Sequence, residues 1–407
     1  MSQDKKRMLK ELIKQLHAGA SPQEVKERFK QLLESVTPSE ISRIEQELVE
    51  EGMPREEIQR LCDVHLAVFR EHLEKQRTDL PSGHPLNILM EEHKIMLQLA
   101  EKLERIADKL HKAGDATHIY DEVHNLQHIT EDLKESEAHY LREENVLFPY
   151  LEKHGVTEPP SIMWMEHNRI REKKKELYTL IERYDTVDFQ LFKRELREIA
   201  KTLNSLLSNH FFKENNILFP VAMQVIAKNE WKKIREEFDE VGYCCFTPPH
   251  ATAPQVERVK EEKTEEPIKA VEALQFETGS LSKEEIEAIL DSLPVEITFV
   301  DKEDRVKYFN KAEERTFVRT KAIIGRKVQL CHPQKSIHIV NRILEAFKTG
   351  EKDVAEFWIN LKNRLIHIRY FAVRNKDGEY LGTLEVTQDI TEIKKIEGER
   401  RLLDWKM

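Results

Sequence analysis

Hydrophobic residues return every three or four positions along most of this chain, and only the final third switches to a period of two. Leu9, Leu12, Ile13 and Leu16 form one apolar stripe, and Val25, Phe29, Leu32 and Leu33 form a second; this is the spacing of amphipathic helices. Ser21-Pro22 and Thr37-Pro38 read as helix starts, an N-cap followed by a residue that loses no hydrogen bond in the first turn. Gly52-Met53-Pro54 opens a longer helix through Lys75, so residues 1–78 are expected to form a helical domain. Pro81-Ser82-Gly83 breaks the pattern. Four long amphipathic stretches then run from His84 to about Val241, parted by Gly114-Asp115, by Gly155 to Pro160 and by Tyr184 to Asp188. That order predicts an up-down four-helix bundle over residues 79–243.

Residues 244–278 change character. Thr247-Pro248-Pro249, Thr252-Ala253-Pro254 and the charge run Lys260 to Glu266 carry few large apolar side chains, the composition of a flexible linker. Beyond it, Leu281 to Leu293 reads as a helix capped by Ser280 or Ser282, followed by short alternating runs at Val295 to Val300 and Arg305 to Phe309. A helix from Lys335 to Lys348 stops at Gly350. Three β-rich runs follow, Val354 to Leu361, Leu365 to Val373 and Tyr380 to Gln388, the last two joined at Asp377-Gly378. Residues 279–407 are therefore expected to form an antiparallel sheet with helices on one face, closed by an exit helix from Thr391 to Trp405. The whole is multidomain and mainly α, with an α+β domain at the C-terminal end.

Composition narrows the functional classes. The 407 residues suffice for several domains. Charged residues make up 34%, mostly Glu and Lys at helical spacing, as on solvated helix faces. A net charge of −10 argues against nucleic acid as the main ligand. No apolar run is long enough to span a membrane, the N-terminal segment lacks a signal-peptide core, and Cys62, Cys244, Cys245 and Cys331 form no disulfide framework. The expectation is a cytoplasmic protein that neither enters a membrane nor binds nucleic acid.

One stretch of chemistry occurs twice. His139-Tyr140-Leu141-Arg142-Glu143-Glu144-Asn145-Val146-Leu147-Phe148-Pro149 is echoed by His210-Phe211-Phe212-Lys213-Glu214-Asn215-Asn216-Ile217-Leu218-Phe219-Pro220. A shorter echo precedes each copy, Met90-Glu91-Glu92-His93 and Met165-Glu166-His167. His-x-x-x-Glu puts both side chains on one helical face a turn apart, and imidazole with carboxylate suits iron, zinc or manganese. The interval alone is weak evidence, because His118 with Glu122 and His154 with Glu158 share it without the surrounding words. The duplicated context carries the signal; against it stands a repeated hairpin whose His and Glu are satisfied in the core. The prolines after each Phe are expected to bend or end their helices.

In these words residues 84–241 resemble the hemerythrin-like, cation-binding HHE family. The resemblance implies a four-helix bundle around an oxygen- or hydroxide-bridged pair of iron ions. It makes His93, His139, Glu143, His167, His210 and Glu214 ligands, with Glu143 and Glu214 bridging. His84 is the candidate fifth histidine, or a replacement for His93, although its nine-residue offset from His93 puts it on the opposite face. Four histidines resemble the di-iron proteins linked to nitrosative stress and iron–sulfur cluster repair; five resemble the oxygen carriers. His124 and His128 have no counterpart in the second copy and read as a solvated face.

The N-terminal part, with Gly52-Met53-Pro54-x-x-x-Ile58 and Leu61-Cys62-Asp63-Val64-His65, resembles DUF438, a family without assigned activity. Cys62 and His65 are one turn apart, and two ligands make no closed metal site. Residues 281–395 resemble a PAS domain through Tyr308-Phe309-Asn310 and Gly378-x-x-x-Gly382-x-Leu384-Glu385-Val386-x-x-Asp389-Ile390-Thr391. The resemblance implies a sensory, dimerising module of unknown ligand. Cys331 and His332 are the candidate haem-binding residues, and a loop histidine beside Pro333 is the structural alternative. Arg364, His367, Arg369 and Tyr370 line a pocket or face solvent.

Three functional classes remain. The leading one is a di-iron sensor that binds oxygen or nitric oxide, or reports iron and redox state, and relays through the PAS module to a protein partner or a homodimer. The second is a di-iron enzyme that reduces nitric oxide or peroxide or serves cluster repair. The third is a scaffold with a structural metal.

Overall fold

A computed structural model describes residues 37–54, 80–112, 120–252, 273–312 and 315–399, with a few single residues before 37. The stripes before residue 37, the helix expected after Pro54, Cys62 and His65 lie outside the described residues. The chain divides into two compact units, residues 1–258 and 259–407.

In the first unit, α1 (Pro38–Glu50) starts as its sequence predicts. Thr37 Oγ1 accepts from the Glu40 backbone N–H, Glu40 returns a carboxylate to the Thr37 N–H, and Pro38 occupies the first turn. Ile44 and Leu48 are its buried face. The bundle comprises α2 (Pro85–Lys112), then α3 (Tyr120–Glu135), α4 (Glu137–Arg142) and α5 (Phe148–Lys153) in one line, α6 (Glu158–Glu182), and α7 (Phe189–Lys213) continued by α8 (Phe219–Val225). Met96, Leu103, Leu126, Leu133, Ile170, Leu177, Leu196, Leu203 and Leu207 meet in one core, each worth about 1.5–3 kcal/mol of apolar burial. The last amphipathic stretch is broken at Ile226–Ala227. Its end is a separate helix, α9 (Lys228–Val241), which buries Trp231, Ile234 and Phe238.

The prolines do not end their helices. A π-helical turn precedes each, Glu143–Leu147 between α4 and α5 and Glu214–Leu218 between α7 and α8. Widening the ladder to i→i+5 absorbs the missing N–H of Pro149 and Pro220 and relieves the clash with the carbonyl behind. Asn145 Nδ2 donates to Leu141 O at 3.0 Å, and Asn216 Nδ2 to Phe212 O at 2.8 Å, serving carbonyls at the widened turn. The repeated asparagine and proline thus belong to one device.

Composition assigned residues 244–252 to a linker, but they are folded against the bundle. Cys244 and Ala251 are buried. Gly83 N–H donates to Ala251 O at 3.0 Å and Arg235 Nη2 to Thr252 O at 2.8 Å. Low apolar content misled here because a few side chains, Cys244, Phe246, Thr247 and Ala251, together with backbone carbonyls, suffice to hold this strap. Residues 253–272 lie outside the described ones.

In the second unit, β1 (Ala273–Phe276) and β2 (Gly279–Ser282) form a hairpin where a linker was expected. Ser282 is the cap of α10 (Lys283–Asp291), in a capping box with Glu285. β3 (Glu296–Asp301), β4 (Val306–Phe309), β5 (Val354–Leu361), β6 (Arg364–Arg374) and β7 (Tyr380–Asp389) form an antiparallel sheet ordered β4-β3-β7-β6-β5, and α11 (Gln334–Thr349) ends at Gly350. Asn310 explains its place in the motif: its side chain bonds Leu290 O, Val295 O and the Ile297 N–H. Gly382 does too, because a Cβ there would meet Val300 O at 2.2 Å. The exit helix is not formed over 391–399, where the chain makes only a 3-10 turn at Ile393–Lys395; residues 400–407 lie outside the described ones.

Candidate metal centre

Each ligand candidate comes from a different part of the bundle. α2 supplies His93, α4 His139, α6 His167 and α7 His210, while Glu143 and Glu214 are the first residues of the two π turns. All six are at most 1% exposed. Their functional atoms converge. His93 Nε2 lies 3.2 Å from Glu214 Oε2 and 3.1 Å from His139 Nε2. His139 Nε2 and His167 Nε2 each lie 3.4 Å from Glu143 Oε2, and His210 Nε2 lies 3.1 Å from Glu214 Oε1. Two groups of four result, His93, His139, Glu143, Glu214 and Glu143, His167, His210, Glu214, each compact enough to hold a metal ion and sharing both carboxylates.

A second layer fixes the ring orientations, and it repeats like the first. Glu92 precedes His93 but accepts from His139 Nδ1 at 2.7 Å, and Glu166 precedes His167 but accepts from His210 Nδ1 at 2.8 Å. Glu144 accepts from His167 Nδ1 at 2.8 Å, whereas its counterpart Asn215 accepts from His93 Nδ1 at 3.0 Å. Carboxylate and amide oxygens only accept, so each Nδ1 carries a proton, which leaves each Nε2 as the nitrogen that can offer a lone pair to a cation. Behind the carboxylates stand cations: Arg142 on Glu92, Lys213 on Glu166 and Arg171 on Glu144.

Charge follows from this geometry. Burial alone would raise Glu92 and Glu166. Hydrogen bonds from His139 and His210, with the charges of Arg142 and Lys213, hold both down at about 2. Burial opposes charge on His167 and His210, but the glutamates around them raise both, His167 well above its ordinary value. Burial prevails at His139 and lowers it. Glu214 lies well below the usual carboxylate range, held there against burial by His210, His167 and His93. A metal fits on a plain observation: both oxygens of Glu143 and of Glu214, and the Nε2 atoms of His167 and His210, are buried without a hydrogen-bond partner. Such groups are costly unless something polar meets them.

The other sequence candidates fall elsewhere. His84 is not in either group; its Nδ1 accepts from the Leu86 N–H at 3.2 Å and its ring packs on Trp231. It caps α2, and burial pushes it down to about 4. His154 pairs with Glu230, and Glu122 with Lys109; His118 lies outside the described residues. His124 and His128 are exposed on α3. Cys331 ends a 3-10 helix, and His332 Nδ1 donates to Val328 O at 2.8 Å. With Val300, Ile343, Tyr370 and Glu385, His332 lines a cavity of about 240 Å³, below the roughly 300–1,000 Å³ of drug-sized sites and small for a haem. Of the four sheet candidates, Tyr370 faces that cavity, while His367 pairs with Glu356 and Arg364 with Asp389. A second cavity, of about 390 Å³, reaches His93 between α2 and the second π turn, lined by Met90, Lys94, Phe211, Asn215 and Phe219 among others.

Sequence reasoning missed Glu92, Glu144, Glu166, Arg142, Lys213 and Thr247. The echo contained a signal for most of them, since Glu92 and Glu166 occupy equivalent places, as do Arg142 and Lys213.

Comparison with known proteins agrees with this architecture. Residues 84–222 match the hemerythrin HHE cation-binding domain, and residues 286–391 match the PAS domain. Residues 9–75 match DUF438, a family of unknown function. The chain thus joins those three domains in that order, the composition of a metal-binding sensor or signalling protein. No curated protein matches it. Among solved structures, the C-terminal domain of a Streptococcus mutans protein is 36% identical, covering 31% of this chain and 98% of that one, with a TM-score of 0.30. The PAS domain of a Colwellia psychrerythraea protein is 20% identical over 27% of this chain and 97% of its own, TM-score 0.22. The PAS domain of Bordetella pertussis BvgS is 21% identical over 28% and 88%, TM-score 0.23. No helix among the described residues is long and apolar enough to cross a membrane.

Proposed function

We propose that the bundle holds two iron ions bridged by Glu143 and Glu214, one with His93 and His139 and the other with His167 and His210. The chain is then a cytoplasmic sensor that relays through its PAS domain. The observation that carries this is the pair of four-residue groups sharing both carboxylates: one ion would use one group, whereas two account for the orphaned oxygens of Glu143 and Glu214 and the orphaned Nε2 atoms of His167 and His210. Mixed imidazole and carboxylate donors suit iron. Iron so held supplies a centre that binds oxygen or nitric oxide and changes redox state. The chain's part is to orient four imidazoles through Glu92, Asn215, Glu144 and Glu166, to keep the centre dry, and to admit small molecules along the cavity beside His93. Output passes to a protein partner or through a PAS homodimer.

The enzymatic reading, reduction of nitric oxide or peroxide or service to cluster repair, draws on that same cavity, which is larger than a diatomic requires. Purification without oxygen, followed by metal analysis and optical spectra before and after oxygen or nitric oxide, tests the proposal. About two irons per chain with a ligand-dependent spectrum are expected. Zinc alone after growth in iron-rich medium would refute it, and sustained turnover would move the assignment to the enzyme.

A further inference from the structure

We infer that the strap Cys244–Thr252 reads the state of the metal centre, with Thr247 as the positioning residue that joins them. The inference rests on the two-ion reading and adds a route by which that site is regulated. Glu92 is fully buried on α2, and its carboxylate is shared. Oε2 accepts from His139 Nδ1 at 2.7 Å, Arg142 Nη2 reaches both oxygens at 2.6 and 2.7 Å, and Thr247 Oγ1 donates to Oε1 at 2.6 Å. One carboxylate therefore ties a ligand histidine to the strap. Arg142 makes a second tie: Nη2 lies 3.9 Å from Cys244 Sγ, and its guanidinium sits 4.7 Å over the Tyr243 ring. The matching carboxylate of the other repeat, Glu166, takes its hydrogen bonds from His210 and Lys213, both inside the bundle. Among the described residues, this extra segment meets the first half of the pseudo-symmetric site.

The coupling has a physical cause. A cation at His139 Nε2 leaves Nδ1 as the only ring nitrogen that can hold the proton, committing it to Glu92 and strengthening that bond. Glu92 then stays in the orientation that presents Oε1 to Thr247. Without the cation only Glu92 holds the proton at Nδ1, so the ring and the carboxylate are oriented less firmly. The far end of the strap is held by Gly83 and Arg235 through backbone carbonyls, while Cys245, Pro249 and His250 are exposed. In chain order it leads through residues 253–272 toward the PAS domain.

Hydrogen exchange on the full chain, with metal measured in every sample, tests this. Backbone amides of 244–252 should exchange about tenfold more slowly with metal than without it, a coupling of ordinary size. In Thr247→Val at saturating metal that ratio should fall to about one, and by reciprocity metal affinity should weaken by about the same tenfold. Thr247→Ser, which keeps the hydroxyl, should restore both. Protection that is indifferent to metal in the native chain, or an undiminished ratio in Thr247→Val, overturns the inference while leaving the two-ion reading intact. A chain that takes up no metal overturns both.

Discussion

Glu143 and Glu214 differ from the four histidines in one respect that mutation can read. Each belongs to both four-residue groups, whereas each histidine belongs to one. Glu143→Ala and Glu214→Ala should therefore deplete both metal positions, while His93→Ala and His210→Ala should each spare the other pair; metal content per chain decides. The supporting carboxylates carry stability. Glu166→Gln removes the carboxylate that faces Lys213 Nζ, with Lys213 only 3% exposed, and should cost about 3–5 kcal/mol by urea unfolding. Their titration has a definite sign. Glu92 and Glu166 sit at about 2 in the fold against an ordinary 4.5, so their contribution is complete above about 4.5 and is lost as pH falls toward 2. Metal-free protein should lose stability steeply in that window, and Glu166→Gln should flatten the slope. Above it the histidines divide. His84 and His139, pushed down, lose stability for the fold as pH falls below 6.5, while His167 and His210, raised, lose theirs as pH rises through their folded values.

At the scale of elements, the π turns explain why the repeated words are as long as they are. Histidine and glutamate alone would make a ligand pair; asparagine, Leu-Phe and proline hold the widened turn from which the glutamate projects. Asn145→Ala and Asn216→Ala should each cost about 1 kcal/mol, the worth of a typical buried hydrogen bond, and thermal melts of the loaded protein would show it. A sequence reader finds the candidate ligands because they recur with their context, and places β3 to β7 within a residue or so because alternation and Asp377-Gly378 are local signals. The second layer is harder to see: adjacent helical residues point about 100° apart, so Glu92 beside His93 serves His139 on another helix. His84, the candidate fifth histidine, stands outside both groups and caps α2, in keeping with its nine-residue offset from His93 and its place before Pro85. The strap was missed because most of what holds it is written in Gly83, Glu92 and Arg142, far away in the chain.

At the scale of the molecule, removing metal should lower the melting temperature of the first unit and leave the second unchanged. At the metal centre the buried atoms without a hydrogen-bond partner belong to Glu143, His167, His210 and Glu214, each group worth roughly 1–3 kcal/mol. Identical calorimetric profiles with and without metal would contradict this. Residues 259–407 form a compact unit of their own, and Trp358, 67% exposed on edge strand β5, is a natural site for probing self-association by sedimentation. The crossed bookkeeping of the glutamates reaches furthest. The first group takes three ligands from one hairpin and borrows Glu214 from the other; the second borrows Glu143 in return. A single hairpin is therefore an incomplete vessel, and two facing copies complete each other. Cut at the turn near Gly155, the halves should find one another again only when the ions are supplied, so that the metal acts as the glue of a split protein.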